Sequence, residues 1–150
     1  MKIAILASVA ATAMCGALAA ADQDDATARE IVALERQAMD GWQMGNPDPV
    51  LAMSDLGITY FHSVMDKRVD GLPALKALFE SYRGMPLFDS YEMADSKVQS
   101  AGETAILTYI LVRHVGGATT RWNGTLVYQR KKEGWRVIHA HWSESKGAAR

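Results

Sequence analysis

Cysteine is nearly absent from this chain: of its 150 residues only Cys15 is one. A lone cysteine near the N-terminus cannot form an internal disulfide, so the fold must rest on packing. Proline is scarce, at four residues, which leaves room for long uninterrupted elements. No sign of charge dominates. Lysine and arginine total 16 and aspartate and glutamate total 17, giving a net charge of −1. There is no basic block or stripe, so nucleic acid is not an expected partner. Also missing are a G-x-S-x-G elbow, a phosphate-cradling glycine loop and an H-E-x-x-H helix. Their absence removes the commonest sequence signatures of hydrolases, nucleotide-binding proteins and zinc proteases.

What is present begins with MKIAILASVAATAMCGALAAADQDD. Lys2 provides a positive start, residues 3–18 are apolar or small, and Ala17-Leu18-Ala19 and Ala19-Ala20-Ala21 suit a small-residue cleavage site. Residues 1–21 are therefore expected to be a secretory signal peptide, with a periplasmic or secreted destination. The apolar run is short of the roughly 20 residues that span a bilayer, and acidic residues follow at once. Cys15 would leave with the signal. The rest, residues 22–150, is long enough to bury one core and would carry a net charge of −2. No later apolar run is long enough to span a membrane.

Thr27-Ala28-Arg29-Glu30 has the form of a capping box, and Ile31, Leu34, Ala38 and Trp42 follow at helical spacing. These predict an amphipathic helix over 28–44, stopped by Gly45 and Pro47. Asp48-Pro49 opens a short helix to about Ser54. LGITYFH, 56–62, reads as a strand. Residues 63–71 read as a turn with a short strand, and 73–83 as a third helix. Beyond Pro86 the period shortens to two. Strands are predicted over 88–99, 104–115, 119–131 and 135–144, separated by Gly102, Gly116-Gly117 and Glu133-Gly134. Helices early and consecutive strands late give an α+β class, with a mostly antiparallel sheet curved over its helices.

The last strand contains GWRVIHAHWSES, with His139 and His141 two residues apart. Strand alternation puts both on one face with Trp135, Val137 and Ser143, and puts Arg136, Ile138, Ala140 and Trp142 on the other. A three-residue turn with Gly134 left-handed would set Val127 opposite His139, Thr125 opposite His141 and Asn123 opposite Ser143. A two-residue turn on Glu133-Gly134 would bring Tyr128 and Leu126 to that face instead. A slip of one residue reverses every side chain.

RWNGTLVYQRKKEGWRVIHAHWS resembles the C-terminal hairpin of the NTF2-like superfamily. The resemblance is to SnoaL-like (DUF4440) domains and to the calcium/calmodulin-dependent kinase II association domain. VDGLPALKALFESYRG and LERQAMDGWQMGNPDPVLAMSDLGITYF are similar to earlier parts of the same domains, so the resemblance covers roughly residues 28–145. It implies a cone of bent sheet around helices, a pocket at its mouth, and homodimers through the outer face of the sheet. Superfamily members include isomerases, dehydratases, cyclases, lyases and non-catalytic assembly modules, so fold alone does not choose among them. Where SnoaL-like relatives often carry an aspartate after the aromatic pair of the first strand, this chain has His62.

These readings name the candidates. His139, His141 and His62 are expected to transfer protons, since imidazole titrates near neutral pH. Tyr60, Asn123, Thr125 and Trp122 are expected to contact the ligand. That ligand would be a small apolar organic molecule, isomerised, dehydrated or cleaved without a cofactor or metal. The alternative is a non-catalytic association module with Arg136, Ile138 and Trp142 at a subunit interface. His114, beside Gly116-Gly117, is expected in solvent. A zinc site of three converging histidines is conceivable, but no ligand spacing asks for it.

Overall fold

The computed structural model describes residues 9–145, with side chains from Gln23 onward. Met1 to Ser8 of the expected signal peptide lie outside the described residues, as do the side chains of the rest of it. Helix α1 runs from Val9 to Gln43. The expected start at Thr27 is therefore corrected: Thr27 is buried within the helix and caps nothing. No proline or glycine lies between Ala17 and Asp40, so nothing interrupts the helix there. Glu30 is used elsewhere: it accepts a hydrogen bond from Trp135 Nε1 at 3.1 Å. Among the described residues no helix is long and apolar enough to cross a membrane.

The chain stops α1 with Gly45 at φ 69 and turns into α2, Asp48–Met53. The Asn46 side chain accepts from the Asp48 amide at 3.0 Å, so Asn46, rather than Asp48, meets the first free amide. Strand β1 covers Ser54–His62, β2 Val69–Asp70, and α3 Leu72–Glu80. Four long strands complete the fold: β3 Ser90–Ala101, β4 Thr104–Val115, β5 Ala118–Lys131 and β6 Gly134–Glu144. One six-stranded sheet results, in the order β2-β1-β6-β5-β4-β3. Every neighbouring pair is antiparallel except β1 and β6, which run parallel. The α+β class and the curved, mostly antiparallel sheet are as expected.

The helices cover the inner face of this sheet. Ile31, Ala38 and Trp42 of α1 are buried, as are Leu75 and Phe79 of α3. They meet Leu107, Tyr109 and Leu111 of β4, Leu126 and Tyr128 of β5, and Val137 of β6. Full burial of such a side chain contributes roughly 1.5–3 kcal/mol, so this layer sets the orientation of the sheet.

The β5–β6 hairpin decides which way β6 faces. Lys131 pairs with Gly134, which stands at φ 100, so the turn is two residues, Lys132-Glu133. Pairing continues through Tyr128 with Val137 and then slips, so that Val127 faces His139. Ile138 is the extra residue of a β-bulge. A bulge reverses the parity of everything beyond it. Trp135 and Val137 point inward, but so do Ala140 and Trp142; His139, His141 and Ser143 point outward.

Candidate functional site

Between α1, α3 and the inner sheet face lies a cavity of ≈ 320 Å³. Its walls are mainly apolar and aromatic: Met39, Trp42, Leu78, Phe79, Leu126, Val137, Ala140 and Trp142 among others. Trp42 stands edge-on to Phe79 at 4.9 Å, and Tyr60 stands edge-on to Phe79 at 5.4 Å. Val64 and Tyr82, both exposed, mark the opening.

Three of the expected site residues line this cavity: Tyr60, His62 and Trp122. Ile58, Tyr60 and His62 alternate along β1 toward the helices, as their spacing predicts. Tyr60 is buried, and its desolvated phenol is pushed well above the ordinary range and stays protonated. The His62 ring lies 4.7 Å from the Trp122 ring. Burial lowers the His62 pKa, and the nearby Arg113 lowers it further. His62 is therefore neutral at physiological pH. Its Nδ1 accepts from the Val64 amide at 3.4 Å, which leaves the ring proton on Nε2.

Four candidates do not reach the cavity, and the expectation that they line it is corrected. His139, His141, Asn123 and Thr125 form the polar patch that the pairing predicts, with Thr125 opposite His141 and Asn123 opposite Ser143. The bulge at Ile138 turns the patch to the outer face. His139 Nδ1 is 2.7 Å from Thr59 Oγ1, and Phe61 packs beside both rings at 6.2 and 5.8 Å. Burial, His141 and Arg68 lower the His139 pKa. Trp142 is likewise corrected: it stands inside, edge-on to Tyr109 at 5.5 Å, and not at an outer interface. Since His62 and the His139–His141 pair lie on opposite faces, a three-histidine zinc site is not assembled. Among the described residues no three metal-ligating side chains converge. His114 is exposed, with its ring bonded to Thr119.

Two wall residues were not anticipated. Glu35 is 1% exposed and accepts hydrogen bonds from Tyr109 Oη at 2.6 Å and Tyr128 Oη at 2.9 Å. Burial raises its pKa from the usual 4.5 to about 7, although both phenols pull it down. A signal was available: Glu35 falls on the apolar stripe of Ile31, Ala38 and Trp42, where a solvated carboxylate does not belong. Arg113 is the second. It continues the inward series Leu107, Tyr109, Leu111 on β4, and its guanidinium lies 4.6 Å from the Trp122 ring centroid.

A cone of bent sheet closed by helices over an apolar cavity is the NTF2-like architecture, and solved structures share it. A proposed ketosteroid isomerase from Parabacteroides distasonis is 29% identical over 77% of this chain and 86% of its own, with a TM-score of 0.70. The CamKII hub homology domain of Chlamydamonas reinhardtii is 27% identical over 80% and 99%, with a TM-score of 0.64. An NTF2-like protein of unknown function from Pseudomonas putida KT2440 is 24% identical over 83% and 91%, at 0.73. No functionally curated protein matches. The model of the calcium/calmodulin dependent protein kinase II association domain matches residues 27–146, and the chain belongs to that family.

Proposed function

We propose that this protein holds a small, largely apolar organic molecule in its cone and exchanges protons with it. The observation that carries this reading is the cavity itself. It is open to solvent, walled by aromatic and aliphatic side chains, and still contains a buried carboxyl and a neutral imidazole. Pockets of this kind bind ligands by apolar contact and orient them through a few polar groups. Glu35, with a pKa of about 7, is matched to giving or taking a proton near neutral pH. His62 is a second candidate at the opening. Isomerisation, dehydration or a lyase step fits these groups. His139 and His141 have no part in it, because they face away.

Filling the cavity tests the reading. Ala140 is buried on its wall, and Ala140→Leu pushes a larger side chain into the space. The variant should fold and lose its ligand, whether a molecule retained from the producing cell or an added one. Undiminished binding would refute the proposal. The proposed setting is outside the cytoplasm, on the strength of residues 1–21.

A second reading, association through the outer sheet face, accompanies the first. It is favoured by the family and by Phe61 and Ile106, which are 39% and 37% exposed on that face. A homodimer would cover them. Light scattering on the Phe61→Asp protein should then report a smaller particle than the unsubstituted protein.

A further inference from the structure

His139 and His141 face away from the cavity and take no part in it. Beyond the bulge at Ile138 the β5–β6 pairing is regular from His139 to Glu144, so the two imidazoles are neighbours on the outer face. Thr59 and Phe61 of β1 flank them on one side, and Val127 and Thr125 of β5 on the other. His139 is half-buried and held in place: its Nδ1 lies 2.7 Å from Thr59 Oγ1. Among the described residues its Nε2 has no hydrogen-bond partner. His141 is exposed, and among the described residues neither of its ring nitrogens is bonded. Phe61 packs against both rings, with centroids 6.2 and 5.8 Å away. One oriented imidazole thus stands beside one that is free to turn. No carboxylate is among the residues paired with them. Arg68 acts on His139 through space, but its guanidinium is engaged by Asp70 in two hydrogen bonds.

We propose that His139 and His141 chelate a divalent late transition-metal ion, such as zinc or nickel, on the outer face of the sheet. Same-face neighbours on a strand are about 6.5 Å apart. Two nitrogens on one tetrahedral zinc ion, each about 2.0–2.1 Å from it, are about 3.3 Å apart. Each ring therefore leans by less than about 2 Å toward the other. His141 has that freedom, and Thr59 prepares His139. With the Nδ1 proton donated to the Thr59 hydroxyl, Nε2 offers its lone pair; a partner on the far nitrogen is how metal-bound histidines are usually oriented. Imidazole suits zinc, nickel and copper, whereas calcium and magnesium take oxygen ligands. The pair therefore selects the first group. Two protein ligands make this an open site with water completing the ion's shell, distinct from the three-histidine centre excluded above. It does not depend on what the cavity binds.

The test is titration calorimetry of the full chain, carrying no polyhistidine tag and freed of metal by a chelator, with zinc chloride and with magnesium chloride. Zinc should saturate at one ion per chain, and magnesium should give no binding. His139→Ala and His141→Ala should each weaken zinc at least about tenfold, because a chelate needs both rings. His141 is exposed, so its variant serves if the His139 variant does not fold. Thr59→Val, which keeps the shape and deletes the hydroxyl, should weaken zinc about tenfold. His114→Ala, which removes an exposed imidazole elsewhere, should leave zinc affinity unchanged. Zinc that does not saturate, or that binds as tightly after loss of either His139 or His141, overturns the chelate. Saturation at half an ion per chain overturns it as well, since the ion would then lie between two copies.

Discussion

Replacing Glu35 by glutamine should change how the stability of this protein depends on pH. The folded chain holds the Glu35 proton until about pH 7, whereas a free glutamate releases it near 4.5. Between those values the folded state binds the proton and the unfolded state does not. The contribution is therefore complete below pH 4.5 and is lost as pH rises through 7. The loss corresponds to about 3 kcal/mol, a substantial part of a typical domain's roughly 5–15 kcal/mol. Glutamine cannot ionise, yet its amide offers both a donor and an acceptor to Tyr109 and Tyr128. At about pH 4.5 the two proteins should be nearly equal in stability. At about pH 8 the glutamine variant should be the more stable by about 3 kcal/mol. Urea unfolding at a series of pH values measures both. The difference between the two proteins cancels the opposite trends of His62 and His139, whose lowered pKa values make stability fall as the solution is acidified. Tyr109→Phe removes one donor to the carboxylate, so in that background the midpoint should move upward. A stability difference between the unsubstituted and Glu35→Gln proteins that stays flat from about pH 4.5 to 8 would refute the reasoning.

Other expectations follow from particular contacts. A Cβ placed on Gly124 would stand 2.7 Å from the Trp142 ring, so Gly124→Ala should cost about 1–3 kcal/mol in denaturant unfolding. Adding Trp142→Phe, which shortens the ring, should recover part of that loss, and strict additivity would contradict the contact. Ala140→Leu should abolish binding of a small apolar probe, cyclohexanol, in calorimetry while the far-ultraviolet circular dichroism is unchanged. Phe61→Asp should lower the mass seen by light scattering without affecting ligand affinity, because it stands on the outer face.

Periodicity made most of the fold legible. The strand expected over 104–115 has those same bounds, and 119–131 and 135–144 each lengthen by one residue. Apart from the bulge in β6, these segments largely alternate between the two faces, and glycines separate them. The start of α1 was not legible, because the capping-box pattern at Thr27 is also compatible with a helix interior. The site was half legible. Alternation along β1 located Ile58, Tyr60 and His62 without needing a partner strand. The facing of His139 and His141 needed the hairpin register, and the two ends of β6 use different ones. Near the turn the pairing is that of a two-residue loop; past Ile138 it is the pairing expected from a three-residue loop. A bulge between them is a property of two strands in contact, and no residue in IHAH announces it. Glu35 was hidden for another reason. A carboxylate on an apolar stripe looks like an imperfection until Tyr109 and Tyr128, far away in the chain, are seen to enclose it.

The placement of the histidines on opposite faces of one sheet is the claim on which the rest depends. Ring resonances of the three imidazoles, followed by nuclear magnetic resonance during addition of cyclohexanol as a small apolar probe of the cavity, address it directly. His62 should shift progressively to saturation, and His139 and His141 should stay where they are. Movement of the His139 and His141 signals with His62 unchanged would mean that the ligand sits on the other side of the sheet, and would contradict the account.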